Sequence, residues 1–347
     1  MAKISLAVKY RPTTFSDVTE QSAVCDILQE QLRTDSFQHA YLFVGPAGTG
    51  KTTLGRIFAK EINKGKGSPI EVDAASNSGV DNIRTIIDDS KKRALDSEYK
   101  IFIIDECHSL SSGAWQAFLK TLEESPKYSI YILCTTNPEK IPSTIISRVQ
   151  RYQLSKISTD GIYNRLCFIC EQENVNIDDA GEEALKFIAR ISQGGMRDAI
   201  TSLDKCLSSG EKLSLELVVN TLGNVEYDTQ FELLSYIYNH DSAKAIKIIE
   251  KLFDSGKPLK VFIKQFQLFL VDVCKYKIFN SFEYSQIPAM PIYAEKLKDY
   301  DKNTCINILD IISEFNSAVK WESDVQYSFE TLLLKMENDY DRSKEQS

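Results

Sequence analysis

Four short β-rich runs punctuate the first part of the chain, at positions 41–44 (Tyr-Leu-Phe-Val), 70–72 (Ile-Glu-Val), 101–104 (Ile-Phe-Ile-Ile) and 130–134 (Ile-Tyr-Ile-Leu-Cys). Each is followed by a polar loop and an amphipathic stretch, such as residues 53–61. That alternation predicts an α/β domain built on a buried, mainly parallel sheet. From about Lys156 the β-rich runs cease. Residues 179–192 and 196–207 carry apolar side chains at i, i+3, i+4 and i+7, which predicts a small helical domain. After Gly223 come longer helical patterns: Asp241 is placed to cap a helix over 242–253, Ser255-Gly-Lys-Pro258 to end it, and 261–279 carries a broad apolar face. The expected organisation is therefore a core at 1–155, a helical domain at 156–223, an all-helical domain at 224–338 and a flexible tail at 339–347, with little to bury in the tail.

A chain of 347 residues with 43% hydrophobic and 26% charged residues fits several ordinary domains rather than disorder or low complexity. No apolar run approaches the ~20 residues that cross a bilayer, and the amino terminus reaches charge too soon for a signal peptide, so a cytoplasmic protein without membrane contact is expected. The eight cysteines are scattered through apolar stretches, which predicts free thiols. The lone Cys167-x-x-Cys170 pair supplies half of a zinc site with no histidine beside it, so no zinc is expected. Net charge is −8, unevenly spread: residues 1–155 carry 19 Lys+Arg against 18 Asp+Glu, leaving 22 against 31 for the remainder. An acidic total excludes indiscriminate nucleic-acid coating but permits a local basic lining in the first part.

The chemistry lies in two motifs. Gly45-Pro-Ala-Gly-Thr-Gly-Lys-Thr52 fits G-x-x-x-x-G-K-[ST], follows a predicted strand and precedes a predicted helix that includes Thr53. Backbone N–H groups of Gly45, Ala47, Gly48, Thr49 and Gly50 can wrap phosphate oxygens, with Pro46, which has no N–H, a member of the same loop. Lys51 reaches the β- and γ-phosphates and the Thr52 hydroxyl ligates Mg²⁺. In Ile101-Phe-Ile-Ile-Asp-Glu106 two carboxylates end a buried strand, where open α/β sheets place their ligands. Asp105 is expected to hold the Mg²⁺ shell and Glu106 to polarise the attacking water as general base. ATP and Mg²⁺ are the expected cofactors. His39, His108 and His240 show no triad or ligand spacing and read as packing or surface residues; Trp115 and Trp321 read as helix packing or subunit contact.

Lys9-Tyr-Arg-Pro-Thr-Thr-Phe-Ser-Asp-Val18, His39-Ala-Tyr-Leu-Phe-Val-Gly45, Ile70-Glu-Val-Asp-Ala-Ala-Ser76, Lys120-Thr-Leu-Glu-Glu124, Ile145-Ile-Ser-Arg148 and Gly194-Gly-Met-Arg-Asp-Ala199 together extend the motifs. With them the sequence resembles the AAA+ ATPases of the clamp-loader group, and specifically the gamma/tau family of bacterial DNA polymerase III, over at least residues 1–223. The resemblance implies a P-loop AAA+ core, a helical lid and an all-α collar. It implies that Arg11, Pro12 and Val18 line the adenine and ribose pocket, and that Thr136 is the sensor-1 residue. Arg148 would be an arginine finger reaching a neighbouring subunit's ATP, and Arg197 the sensor-2 residue. It further implies an ATP-hydrolysing motor subunit of the DNA-directed DNA polymerase holoenzyme, which loads the sliding clamp onto primer–template DNA in company with delta- and delta-prime-like subunits and further copies of itself. Without the resemblance, Arg148 and Arg197 read as solvated surface charges.

Departures from the family pattern are Lys60-Glu-Ile-Asn-Lys-Gly-Lys-Gly-Ser-Pro69 in place of a four-cysteine zinc module, Val149 in place of cysteine, and Glu20 where glycine is common. Without the long extension that distinguishes tau, contacts made through such a segment are not expected. Residues 76–84 and Lys91-Lys-Arg93 are candidate contacts to the DNA backbone, without base reading; a solvated helix face is the alternative for the latter. Rival readings are an inactive delta-prime-like scaffold, against which Lys51, Thr52, Asp105 and Glu106 stand, and another AAA+ DNA-remodelling ATPase such as a branch-migration helicase.

Overall fold

The computed structural model describes residues 4–345 except 125, 223, 224, 257, 258, 286, 288, 289 and 320–323. Trp321 and the Lys257-Pro258 end of the expected helix stop thus lie outside the described residues. The chain divides into two compact units, Met1–Ser214 and Leu215–Ser347.

In the first unit the strands are β1 (Ala40–Val44), β2 (Ile70–Asp73), β3 (Lys100–Asp105), β4 (Ser129–Thr135) and β5 (Gln150–Gln153), in the order β2-β3-β4-β1-β5 with every pair parallel. The helices interleave with them: α1 (Leu6–Lys9), α2 (Ser22–Thr34), α3 (Lys51–Ile62), α4 (Val80–Ser90), α5 (Ser112–Glu124) and α6 (Ser143–Ile146). Because successive strand residues face opposite sides, Tyr41, Phe43, Ile101, Ile103, Ile130 and Ile132 pack on one face with residues of α2 and α3. Leu42, Val44, Phe102, Ile104, Tyr131 and Leu133 pack on the other with residues of α4 and α5. All seven residues of β4 are buried, as the centre of a doubly covered sheet requires.

The helices α7 (Thr159–Gln172), α8 (Asp179–Ile191) and α9 (Met196–Leu207) complete this unit. Ser158 and Asp178 cap the first two by accepting from the N–H groups of Gly161 and Gly181. Glu20, in left-handed conformation at φ 58°, accepts from the Ser158 N–H at 2.7 Å and from its hydroxyl, tying the start of α7 to the loop before α2.

The second unit is helical: α10 (Leu215–Leu222), α11 (Val225–Tyr238), α12 (Ser242–Asp254), α13 (Leu259–Phe279), α14 (Met290–Leu297), α15 (Lys302–Ala318) and α16 (Val325–Glu345). Asp241 caps α12 as its position predicts, accepting from the Lys244 N–H at 3.2 Å. Helices α13 and α15 are joined by an amide relay in which Asn316 donates to Gln267 and Gln267 to Ser313, each at 2.8 Å. Helix α16 continues to Glu345, into the stretch expected as a tail. No helix among the described residues is long and apolar enough to cross a membrane.

Helix α3 packs tightly on the sheet at Gly55, where an added Cβ would sit 3.1 Å from Ile132 Cγ2. A large side chain there must lift α3, and with it the loop before α3, off β4. Gly55→Leu is therefore expected to lower the unfolding free energy by about 2 kcal/mol, read as an earlier urea midpoint with an unchanged slope.

Candidate nucleotide site

The loop joining β1 to α3 is Gly45–Gly50, and it lies where β1, β4 and β3 all end. Gly48 takes φ 74°, and a Cβ there would lie 3.0 Å from the Gly195 Cα; the Gly48 carbonyl accepts from the Met196 N–H at 3.1 Å. The start of α9 is thereby seated on the phosphate-binding type of loop, which brings Arg197 to its rim. The Lys51 ammonium is buried and donates to the carbonyls of Gly45 at 2.9 Å and Pro46 at 2.8 Å. Burial lowers its pKa from the ordinary lysine value, partly offset by the Glu106 and Asp105 carboxylates that favour the cation. Thr49 is buried with its hydroxyl on the Pro46 carbonyl at 2.9 Å.

The Thr52 hydroxyl donates to Asp105 Oδ2 at 2.6 Å, joining the first turn of α3 to the end of β3. Asp105 Oδ1 accepts from the Glu106 N–H at 3.0 Å. The chain then turns at Glu106, whose φ of 45° is left-handed, into a 3₁₀ turn at Cys107–Ser109. For a non-glycine residue that conformation costs about 1–3 kcal/mol and is characteristic of functional turns. The Thr136 hydroxyl donates to Glu106 Oε2 at 3.1 Å. The thiols of Cys107 and Cys134 beneath these groups are fully buried, which pushes both pKa values up and keeps them neutral.

These groups surround a cavity of about 390 Å³. It is lined by Arg11, Pro12, Val18, Ala47, Gly48, Thr49, Gly50, Lys51, Thr52, Thr53, Asp105, Glu106 and Arg197, all expected from the sequence. Gly45 and Pro46 contribute the carbonyls that hold Lys51, and Thr136 acts one hydrogen bond behind the wall. Arg148 lies elsewhere: after α6, it pairs with Glu123 at 2.7 Å and donates to the Thr144 carbonyl at 2.8 Å. The candidate DNA-facing cations are also engaged, Lys91 with Asp88 at 3.0 Å, Arg84 with Asp81 at 3.2 Å, and Arg93 over the Tyr128 ring at 4.0 Å.

Ala7, Tyr10, Thr19, Arg56, Ile157, Met196 and Ile200 also line the cavity without having been expected there, and two further side chains, Arg165 and His108, bear on its chemistry. Arg165 of α7 lines the cavity and donates to the Tyr10 carbonyl at 2.9 Å, its pKa lowered by burial. In sequence it is one charge on an amphipathic helix, with no motif to mark it. His108 touches Glu106 Oε2 at 3.2 Å. Its position two residues beyond a motif carboxylate was the available signal. Among the described residues no group of three or more His, Cys, Asp and Glu side chains is placed to hold a metal. The hard oxygens of Thr52 and Asp105, 2.6 Å apart, do suit a Mg²⁺ that keeps waters and substrate phosphates as its remaining ligands.

The family described as DNA polymerase III, delta subunit, matches residues 70–158, and that described as DNA polymerase III clamp loader subunit, ATPase lid domain, matches residues 161–212. The DNA polymerase III subunit tau of Bacillus subtilis is 35% identical over 351 residues, 94% of this chain and 62% of that protein. The DNA polymerase III subunit gamma of Buchnera aphidicola is 34% identical over 272 residues, 72% of this chain and 73% of that one. The chain thus spans less than two thirds of several longer relatives. Among solved structures, the RuvB Holliday junction branch migration motor of Thermotoga maritima superposes with a TM-score of 0.52 at 21% identity, covering 66% of this chain and 79% of that chain, a likeness of fold. With its five-stranded parallel sheet, its P-loop and its matched lid, the chain belongs to the gamma/tau family of DNA polymerase III clamp-loader subunits.

Proposed function

We propose that this chain binds Mg-ATP in the cavity beside Lys51 and hydrolyses it as a motor subunit of a clamp loader. The observation that carries the reading is convergence. One lysine and one hydroxyl from the first turn of α3 and two carboxylates from the end of β3 meet at a single cavity, with Thr52 already hydrogen-bonded to Asp105. Lys51 would exchange its loop carbonyls for phosphate oxygens, and Thr52 and Asp105 would hold Mg²⁺. The ion supplies charge neutralisation on the phosphates. Glu106 polarises the attacking water, Thr136 orients that carboxylate, and Arg197 senses the γ-phosphate from the lid. Arg11, Pro12 and Val18 take the adenosine. Phosphoryl transfer needs little covalent help from a protein, so positioning and fixed charge suffice.

On this reading Arg148 serves in trans. Its ion pair with Glu123 lies on its own subunit, away from the cavity, so it would act on a neighbour's nucleotide after breaking that pair. The partners are delta- and delta-prime-like subunits, further copies of this chain, the sliding clamp, and primer–template DNA touched through its backbone, in the cytoplasm. The core at 1–155, lid at 156–223 and collar at 224–338 are the corresponding working parts. Clamp and DNA must bind the ATP state more tightly than the ADP state for hydrolysis to release them.

The reading is tested by steady-state ATP hydrolysis with candidate delta and delta-prime partners, with and without clamp and primed DNA. Strong stimulation requiring both is expected; hydrolysis indifferent to the clamp would favour a DNA-remodelling ATPase. Lys51→Ala should abolish nucleotide binding. Arg148→Ala should leave binding intact and depress hydrolysis in the assembly by up to roughly a thousandfold; loss of binding would refute the trans role. A third expectation concerns pH. The charged form of Lys51 binds phosphate and burial lowers its pKa, so Mg-ATP affinity measured by titration should begin to fall below the ordinary lysine range as pH rises.

A further inference from the structure

The 3₁₀ turn Cys107–Ser109 brings the His108 ring back beside the Glu106 carboxylate and the end of β4. The ring is nearly buried, its side chain 14% exposed. Nδ1 lies 3.2 Å from Glu106 Oε2 and 3.1 Å from Thr135 Oγ1, while Nε2 lies 3.4 Å from Asn137 Nδ2. Asn137 is itself fixed, because its backbone N–H donates to Thr135 Oγ1 at 3.0 Å. The carboxylate decides the tautomer. The Thr135 hydroxyl facing Nδ1 can give or accept and so does not discriminate, but an Nδ1 lone pair would oppose Oε2, whereas an Nδ1–H is shared between Thr135 Oγ1 and Oε2 and leaves Nε2 to accept from the Asn137 amide.

We infer that His108 is the positioning residue of Glu106: an Asn137–His108 relay holds the Glu106 carboxylate through Nδ1–H. This inference rests on the reading of Glu106 as the group that polarises water. Oε2 then receives two donors, His108 Nδ1–H and the Thr136 hydroxyl, which arrive from the turn after β3 and from the end of β4. Among the described residues no group donates to Oε1, which stays available to accept from a water. Two donors on one oxygen fix the rotation of the carboxylate, and general-base geometry is sensitive to displacements of an ångström, worth up to roughly a hundredfold in rate. His108 touches neither the P-loop nor Lys51 by hydrogen bond, so nucleotide affinity is expected to be indifferent to it.

Two measurements on the full chain separate this inference from the functional reading. First, ¹⁵N-histidine NMR of the isolated chain should show, among its three histidines, one ring whose Nδ1 carries a proton; its signals vanish in His108→Phe, and the preference for Nδ1 is lost in Glu106→Ala. An Nε2–H ring at His108 overturns the relay whatever the ATPase does. Second, in the reconstituted assembly His108→Phe, which keeps ring volume without the donor, should lower kcat for ATP by up to roughly a hundredfold with the affinity for a fluorescent ATP analogue unchanged. His108→Asn, which returns an N–H near Nδ1, should recover part of it, and His108→Phe should add nothing in a Glu106→Gln background. A kcat within twofold of the parent, or a full further loss on top of Glu106→Gln, overturns the inference. If the parent assembly hydrolyses no ATP, the functional reading falls and the NMR result still decides the hydrogen bond.

Discussion

The register in which β1, β4 and β3 lie side by side governs every functional group at the cavity. Val44 is paired with Thr135 and Ile104 with Leu133, so three buried parallel strands end level with one another. From those ends the chain releases the Gly45–Gly50 loop, the Asp105-Glu106 pair and the Thr135-Thr136-Asn137 run. A slip of one residue in β3 would turn Asp105 to the opposite face and bury Glu106 in its place. The alternation of fully buried apolar residues on both faces prevents that slip, since each face has its own helices to pack against. The hydrogen bond from Thr52 to Asp105 then ties α3 to β3 in the same register.

A second constraint is electrostatic. A buried ammonium without partners would be strongly destabilising, and Lys51 meets that requirement with two carbonyls of its own loop and nearby carboxylates. Those carbonyl acceptors are neutral and exchangeable, which suits a side chain whose proposed task is to move onto phosphate. The arginines show the same economy: Arg165 spends a donor on the Tyr10 carbonyl and Arg148 sits in an ion pair with Glu123. Neither charge is left bare, and each interaction is made within the first compact unit.

The four apolar strands, the P-loop and the carboxylate pair were legible because burial and phosphate chemistry both leave strong local patterns. Strand β5 was not. Its sequence Gln150-Arg-Tyr-Gln153 buries only Tyr152, because an edge strand needs no apolar run and shields itself with polar side chains. Strand β2 was readable from Ile70 and Val72 although it too is an edge and largely exposed. The cap at Asp241 followed from local chemistry alone. Arg165 and His108 depended on tertiary placement. The first reaches the cavity only because α7 lies across the Tyr10 backbone, and the second only because Glu106 adopts a left-handed turn that no sequence spacing announces. The ion pair that occupies Arg148 was equally invisible, since Glu123 and Arg148 meet through the packing of α5 and α6.

The central claim is that Thr52 and Asp105 form the magnesium side of a nucleotide site. Calorimetric titration of ATP into the full chain, with and without Mg²⁺, tests it most directly when the parent is compared with Thr52→Val, which removes the hydroxyl and keeps the shape. One nucleotide per chain, with an affinity that Mg²⁺ strengthens in the parent but not in Thr52→Val, is the predicted result. An affinity indifferent to Mg²⁺ in the parent, or an undiminished Mg²⁺ effect in Thr52→Val, would contradict it.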